Sequence, residues 1–261
     1  MKPKTLSQIS VPARKNELIT QALARVNKNE EILTLWEVIN VNAIDRLQMT
    51  DHGIVHFQIV ANIGLKLARL LEKRGADLSI VSDHELTQNH GELVVVMASL
   101  FHDLGMSISR EGHEEYSLTL ANGLLGEVLS FLPVRERTIV ASETLHAIIA
   151  HRKDGVPYTI EAGIVRVADA LDMSEGRSRI PYEAGIVDIH SISAAAIDSV
   201  KIKEGSDKPV EITITLNNSS GLFQVDNLLK SKLKGSGVEQ FVEVRAYVNE
   251  EEKRLLKEYK L

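Results

Sequence analysis

Apolar residues recur every three or four positions through most of the first two thirds of the chain, the period of helices with one buried face. Residues 16–27 and 30–39 predict two helices in this way. A stronger one covers residues 52–71, where His56, Val60, Ile63, Leu67 and Leu70 form a stripe with Ile59 beside it. Thr50 or Asp51 is its expected N-cap, and Gly64 inside it marks a close packing contact. Residues 72–92 are polar, with Gly75 and Gly91 as punctuation. They read as a connector whose His84 and His90 face water.

The run 93–104 is apolar almost throughout and ends in Phe101-His102-Asp103-Leu104-Gly105. Three consecutive valines suit a strand, but the length and the lack of alternation favour a buried helix. Helices are predicted over 113–131, 135–151 and 159–173, and Asp169 and Asp172 in the last lie three residues apart on one face. After about residue 188 the texture changes. Segments 197–203, 209–216 and 241–248 alternate as strands do, with a helical stretch at 222–233, a Gly235-Ser236-Gly237 turn and a charged helix at 250–259. The pattern predicts a mainly α fold: a helical domain, residues 1–188, followed by a small α+β domain, residues 189–261. The second unit, with exposed strand edges, is expected to bind an effector or to form the interface of a homo-oligomer.

Composition narrows the chemistry. The 261 residues are 44% hydrophobic and include no cysteine, so disulfides and thiolate metal sites are excluded and a reducing cytoplasm is expected. Nine histidines remain, and any transition-metal site must combine them with Asp or Glu. A formal net charge of −6 does not favour bulk attraction to nucleic acid or to an anionic membrane. No apolar run reads as a membrane span, and the polar start lacks a signal core. A soluble cytoplasmic protein with no membrane partner is expected.

His102 and Asp103 end a buried element, where two polar ligands are costly unless something binds them. Adjacent residues can face one ion only where a helix is ending. His56, Asp103, His113, His146, His151 and Asp169 join His102 as candidates, and all lie in the helical part.

Three motifs in order resemble the HD-domain superfamily of metal-dependent phosphohydrolases: His56-Phe-Gln-Ile-Val60-Ala61, Leu100-Phe101-His102-Asp103-Leu104-Gly105 and Val167-Ala168-Asp169-Ala170-Leu171-Asp172. Gly112-His113-Glu114 and Ala147-Ile148-Ile149-Ala150-His151 resemble the two-metal branch, and the spacing is similar to the HD core of ribonuclease Y, without its KH module. The resemblance implies one or two divalent cations (Mn, Fe, Ni, Co, Zn or Mg). His56, His102, Asp103 and Asp169 would hold one, Asp103, His113 and His151 the other, with His146 as an extra ligand. It further implies hydrolysis by metal-activated water, with His102 and Asp103 as the catalytic pair and Asp103 bridging the cations. Many relatives carry a lysine after the His-Asp pair, where this chain has Met106. Arg110, Arg152, Lys153 and Arg166 are alternatives for gripping phosphate, and Arg177 and Arg179 are the first choice. The expected substrate is a nucleotide or another small phosphate ester. Alternatives are a phosphodiesterase acting on RNA or a cyclic dinucleotide, and a regulatory module that keeps metals for structure; the missing Gly-Tyr-Pro signature after His151 argues against the cyclic-dinucleotide branch.

Overall fold

The computed structural model describes residues 8–173 and 193–249. Its first part is helical. Two short helices, α1 (Glu17–Val26) and α2 (Glu30–Asn40), begin at asparagines that cap them: Asn16 accepts from the N–H groups of Leu18 and Ile19, and Asn29 from that of Ile32. A wide helical turn, Val41–Arg46, extends α2. There follow α3 (Ile54–Lys73), α4 (Ser79–His84), α5 (Gln88–Phe101), α6 (His113–Val128), α7 (Val134–Ala150) and α8 (Ile160–Ala170).

Helix α5 is the axle. It is buried without a break from His90 to Phe101, because α1, α3, α7 and α8 surround it. That explains its three consecutive valines: a helix enclosed on all sides has no polar stripe to keep. Gly64 of α3 faces α5, and a Cβ there would collide with Val95. Helix α3, at 20 residues, meets the length and composition of a membrane span, which corrects the reading that no run approaches one. Its buried face packs on α5 and α8 and carries His56, as a core helix does. That face includes Phe57, Ala61, Leu65 and Ala68, so it is broader than the expected stripe, in which Ile63 and Leu70 are half-buried.

The connector 72–92 needs correcting. It contains α4, and α5 begins at Gln88, capped by Thr87. His90 is buried, with Nδ1 2.8 Å from Thr87 Oγ1 and Nε2 3.1 Å from Glu136, while His84 lies 3.3 Å from Glu143. Polar composition hid these contacts because the carboxylate partners, Glu136 and Glu143, lie on α7, far along the chain. The N-cap of α3 is Gly53 rather than Thr50 or Asp51; Asp51 Oδ1 accepts from the Gly53 N–H one step earlier.

Buried charges are paired within this frame. Glu92 of α5 binds Arg69 of α3 at 2.5 and 3.0 Å and accepts from Asn16 at 2.9 Å. Glu161 of α8 accepts from the Ser79 and Ile80 N–H groups at 3.0 and 2.9 Å. Leu78 precedes α4 and has no side-chain acceptor, so Glu161 satisfies these free donors across the fold. Burial pushes its carboxyl above the usual range, against the pull of those N–H bonds.

The second part is a three-stranded sheet. Strands β1 (Ile197–Glu204) and β2 (Val210–Leu216) form an antiparallel hairpin, and β3 (Val242–Val248) lies parallel to β2, giving the order β1-β2-β3. The crossover from β2 to β3 holds a wide helical turn, Gln224–Leu229, and a short helix, α9 (Lys230–Leu233), where one helix over 222–233 was expected. The sheet hairpin is tied to α3 through Lys73 and Glu204 and through Arg74, which donates to the Ser206 carbonyl at 2.9 Å. Gly163 of α8 lies against the Ser236 carbonyl, closer than any side chain would allow. The expected boundary at residue 188 and the charged helix at 250–259 lie outside the described residues.

Glu161→Ala leaves two inner N–H groups without an acceptor. A loss of about 2 kcal/mol in unfolding free energy is expected, read from denaturant midpoints. An unchanged midpoint would remove Glu161 from the framework.

Candidate metal centre

Helix α5 ends at His102, whose backbone is still helical, and Asp103 leaves the helix at φ −104° and ψ 14°. Two neighbouring side chains that a continuing helix would splay apart are therefore turned toward the same space. The His102 Nδ1 lies 2.9 Å from the Ser99 carbonyl, three residues back. Helix α7 ends in the same way at His151, with Nδ1 2.5 Å from the Ile148 carbonyl. His113, the first residue of α6, has Nδ1 2.9 Å from the Arg110 carbonyl. His56 in the first turn of α3 has Nδ1 2.6 Å from Asp172 Oδ2. A carbonyl or carboxylate oxygen accepts, so in each ring Nδ1 carries the proton and donates. The other nitrogen, Nε2, then points its lone pair into the centre.

These nitrogens meet around Asp103. Its Oδ2 lies 3.5 Å from His102 Nε2 and 3.8 Å from His56 Nε2, and its Oδ1 lies 3.1 Å from His113 Nε2 and 3.6 Å from His151 Nε2. Asp169 Oδ1, from the last turn of α8, closes the first set at 3.7 Å from His56 and 3.8 Å from His102. The structure thus presents two groups of donors, one to each oxygen of a single carboxylate. Glu114 lies within ligand range of His113 and His151, and its Oε2 is 3.1 Å from His113 Nδ1, the nitrogen turned away from Asp103.

Cation binding fits this donor set. His56 and His102 place their Nε2 atoms 3.1 Å apart. With both Nδ1 atoms donating, two lone pairs face each other there, an arrangement that a cation relieves. Burial, only partly offset by Asp103, lowers the His102 imidazole to about 4, so it is neutral at pH 7 and ready to coordinate. Asp103 feels the cost of burial, yet His102, His113 and His151 hold it well below the usual carboxylate range. Asp169 is half-buried and also bears a desolvation cost, but it is held low, first by Lys232 and then by the imidazoles. Burial alone would lower the His113 imidazole, but Asp103 and Glu114 raise it. First-row divalent ions bond nitrogen and oxygen at about 2.0–2.2 Å, which puts neighbouring donors about 3–3.5 Å apart. The separations here are close to that spacing.

One candidate stands apart. His146 is half-buried and its Nε2 accepts from the Tyr158 N–H at 2.9 Å, with the two rings stacked at 4.7 Å. It lies five residues before His151 and so faces another side of α7, where it holds the loop that follows.

The basic candidates divide. Arg166 is a framework residue: its guanidinium donates to the carbonyls of Ala150, Arg152, Lys153 and Gly155 at 2.6–3.2 Å, and its Nε to that of Lys232 at 3.0 Å. It caps the end of α7 that carries His151. Arg152 is exposed and pairs with Glu115, and Lys153 lends its carbonyl to Arg166. Arg110 remains beside the centre, with Nη1 3.1 Å from His113 Nδ1. Met106 is fully buried, and its carbonyl accepts from Asn42. Arg177 and Arg179 lie outside the described residues. Sequence reasoning missed Lys232 of α9, whose ammonium donates to the His151 carbonyl and stands 3.7 Å from Asp169 Oδ2. It comes from the unit that was expected to bind an effector or form an interface, and no motif marks it.

A helical frame that aims imidazoles from α3, α5, α6 and α7 at an aspartate following a histidine defines a metal-centre protein of HD type. The family model for the HD domain matches residues 53–174, and the chain belongs to the HD-domain superfamily, generally metal-dependent phosphohydrolases. It is 38% identical over 225 residues to an uncharacterized protein of Methanocaldococcus jannaschii, a match covering 86% of this chain and 87% of that protein. No solved structure matches it significantly.

Two substitutions test the geometry. A Cβ on Gly105 would strike the His113 carbonyl, and the Gly105 N–H donates to Ser117 Oγ at 2.8 Å, so this glycine lets α6 press on the His-Asp corner. Gly105→Ala is expected to weaken manganese binding about tenfold or more by calorimetry through displacement of His113. His146→Ala is expected to leave bound manganese unchanged; loss of an ion would return His146 to the centre.

Proposed function

We propose that this protein is a metal-dependent phosphohydrolase that cleaves a phosphate ester bond of a nucleotide or another small phosphorylated molecule. The observation that carries the reading is the two-sided presentation of Asp103, with His56, His102 and Asp169 toward one oxygen and His113 and His151 toward the other. In this reading these six residues are the ligands, and Asp103 is shared. Imidazole and carboxylate donors suit Mn, Fe, Ni, Co, Zn or Mg. Bound divalent cations supply neutralisation of phosphate oxygens and a lowered pKa for water, on which hydrolysis of an anionic ester depends.

The chain's own residues do the rest. Asp172 holds the His56 ring by its Nδ1–H, and the Ser99, Ile148 and Arg110 carbonyls hold the other three. The rings therefore cannot turn or change tautomer without losing a hydrogen bond, which keeps every Nε2 lone pair aimed inward. Asp103, ionised and buried, offers both oxygens at a fixed angle. Asp169, the more open of the two aspartates, faces the side from which a substrate arrives. A net charge of −6 favours a small ester over a polyanion.

His102→Ala tests the assignment. Bound metal, measured by elemental analysis, is expected to disappear, and turnover of nitrophenyl phosphate with added manganese to fall by about 100-fold or more, with helical circular dichroism retained. Full turnover in this variant would overturn the assignment. A panel of mononucleotides against short RNA and cyclic dinucleotides then fixes the substrate: preference for the longer substrates would replace monoester by diester cleavage.

A further inference from the structure

Lys232 is a basic side chain that the α+β unit sends into the helical part. Its ammonium donates to the His151 carbonyl and lies 3.7 Å from Asp169 Oδ2, while Oδ1 is the oxygen next to His56 and His102. The side chain is 16% exposed and that of Asp169 19%, against 6% or less for those of His56, His102, Asp103 and His151. Lys232 therefore stands at the open rim of the centre and not in its floor. Its backbone is fixed as well, since the Lys232 carbonyl accepts from Arg166 Nε at 3.0 Å. The same Arg166 holds the carbonyls behind His151. One guanidinium thus sets the spacing between a metal-site imidazole and this ammonium.

An ammonium placed there works against cation binding, because like charges repel. Its position makes sense if an anion comes to lie beside it. Among the described residues, four carboxylates stand around the centre, Asp103, Asp169, Asp172 and Glu114, with two cationic side chains, Lys232 and Arg110. Counting the imidazoles as neutral, as metal ligands must be, that leaves about two negative charges. Two divalent ions would turn this into about two positive ones, the complement of a phosphate dianion. An ammonium has three N–H groups, and the carbonyl of His151 takes one.

We propose that Lys232 is a substrate-binding residue that grips the phosphate of the ester, so that the α+β unit forms one wall of the active site. This rests on the phosphohydrolase reading. The test uses the full chain loaded with manganese and inorganic phosphate as the probe, followed by calorimetry, together with KM and kcat for nitrophenyl phosphate. In Lys232→Ala and in Lys232→Met, which keeps most of the aliphatic stem, phosphate is expected to bind about ten- to hundredfold more weakly. KM should rise, while manganese affinity stays the same or improves. Lys232→Arg should recover most of the phosphate affinity. If manganese-loaded Ala and Met variants bind phosphate as tightly as the natural chain, the proposal is overturned while the phosphohydrolase reading stands. If both lose manganese instead, Lys232 holds the metal ligands together and the proposal is also overturned. A natural chain that takes up no manganese or related divalent ion would overturn the functional reading, and this proposal with it.

Discussion

The structure depends on where α5 stops. A fully enclosed apolar helix runs to His102 and gives way at Asp103, so that the most buried element of the protein delivers its two polar groups at one point. Burial makes that expensive for any group left unsatisfied. The cost is contained because His102 gives its Nδ1 proton to the Ser99 carbonyl, one of those left without a partner as the helix ends. The remaining lone pair and the adjacent carboxylate have no such outlet in the helix. They are satisfied only by what other helices bring, and the arrangement of the other helices follows from that need.

The same device appears at His151. It too follows the last turn of a helix and spends Nδ1 on a carbonyl three residues back. Helices α5, α7 and α8 all bring their C-terminal ends to the centre, the ends where the backbone dipole is negative and a cation is favoured. The N-terminal ends of α3 and α6 oppose this in part, which leaves the carboxylates as the decisive charges. Gly105 allows the close approach that seats His113, and Arg166 ties down the loop behind His151. Neither touches the inner space. Both decide whether the nitrogens arrive within a few tenths of an ångström of where they are needed.

Much of this was legible in the sequence because it rests on local rules. Helices α6 to α8 followed from the spacing of their apolar residues and α5 from the length of its apolar run, and the His-Asp corner was visible as that run meeting two ligands and a glycine. Gly64 was read as a packing contact, and it meets Val95. What escaped the reading depended on partners far along the chain. The Glu161 cap of α4 spans 81 residues, and Lys232 reaches a carbonyl the same distance away. His90 looked solvated because its neighbours are polar, although Glu136 covers it. His146 and His151 carry identical chemistry on one helix, and only the rotation between them sends one to the loop and the other to the centre.

The two parts of the chain meet through groups that are themselves part of the site's support. Gly163 brings α8 against the Ser236 carbonyl, and three residues further on Arg166 reaches both the loop after α7 and the carbonyl of Lys232. Another turn along, Asp169 faces the imidazoles with one oxygen and the lysine ammonium with the other. One edge of α8 therefore carries, in order, the contact with the α+β unit, the clamp on the loop and the carboxylate of the centre. A displacement of the sheet against the helices would be felt first at α8, and through α8 at Asp169. The α+β unit is in this sense mechanically continuous with the metal centre, whatever else its exposed strands contact.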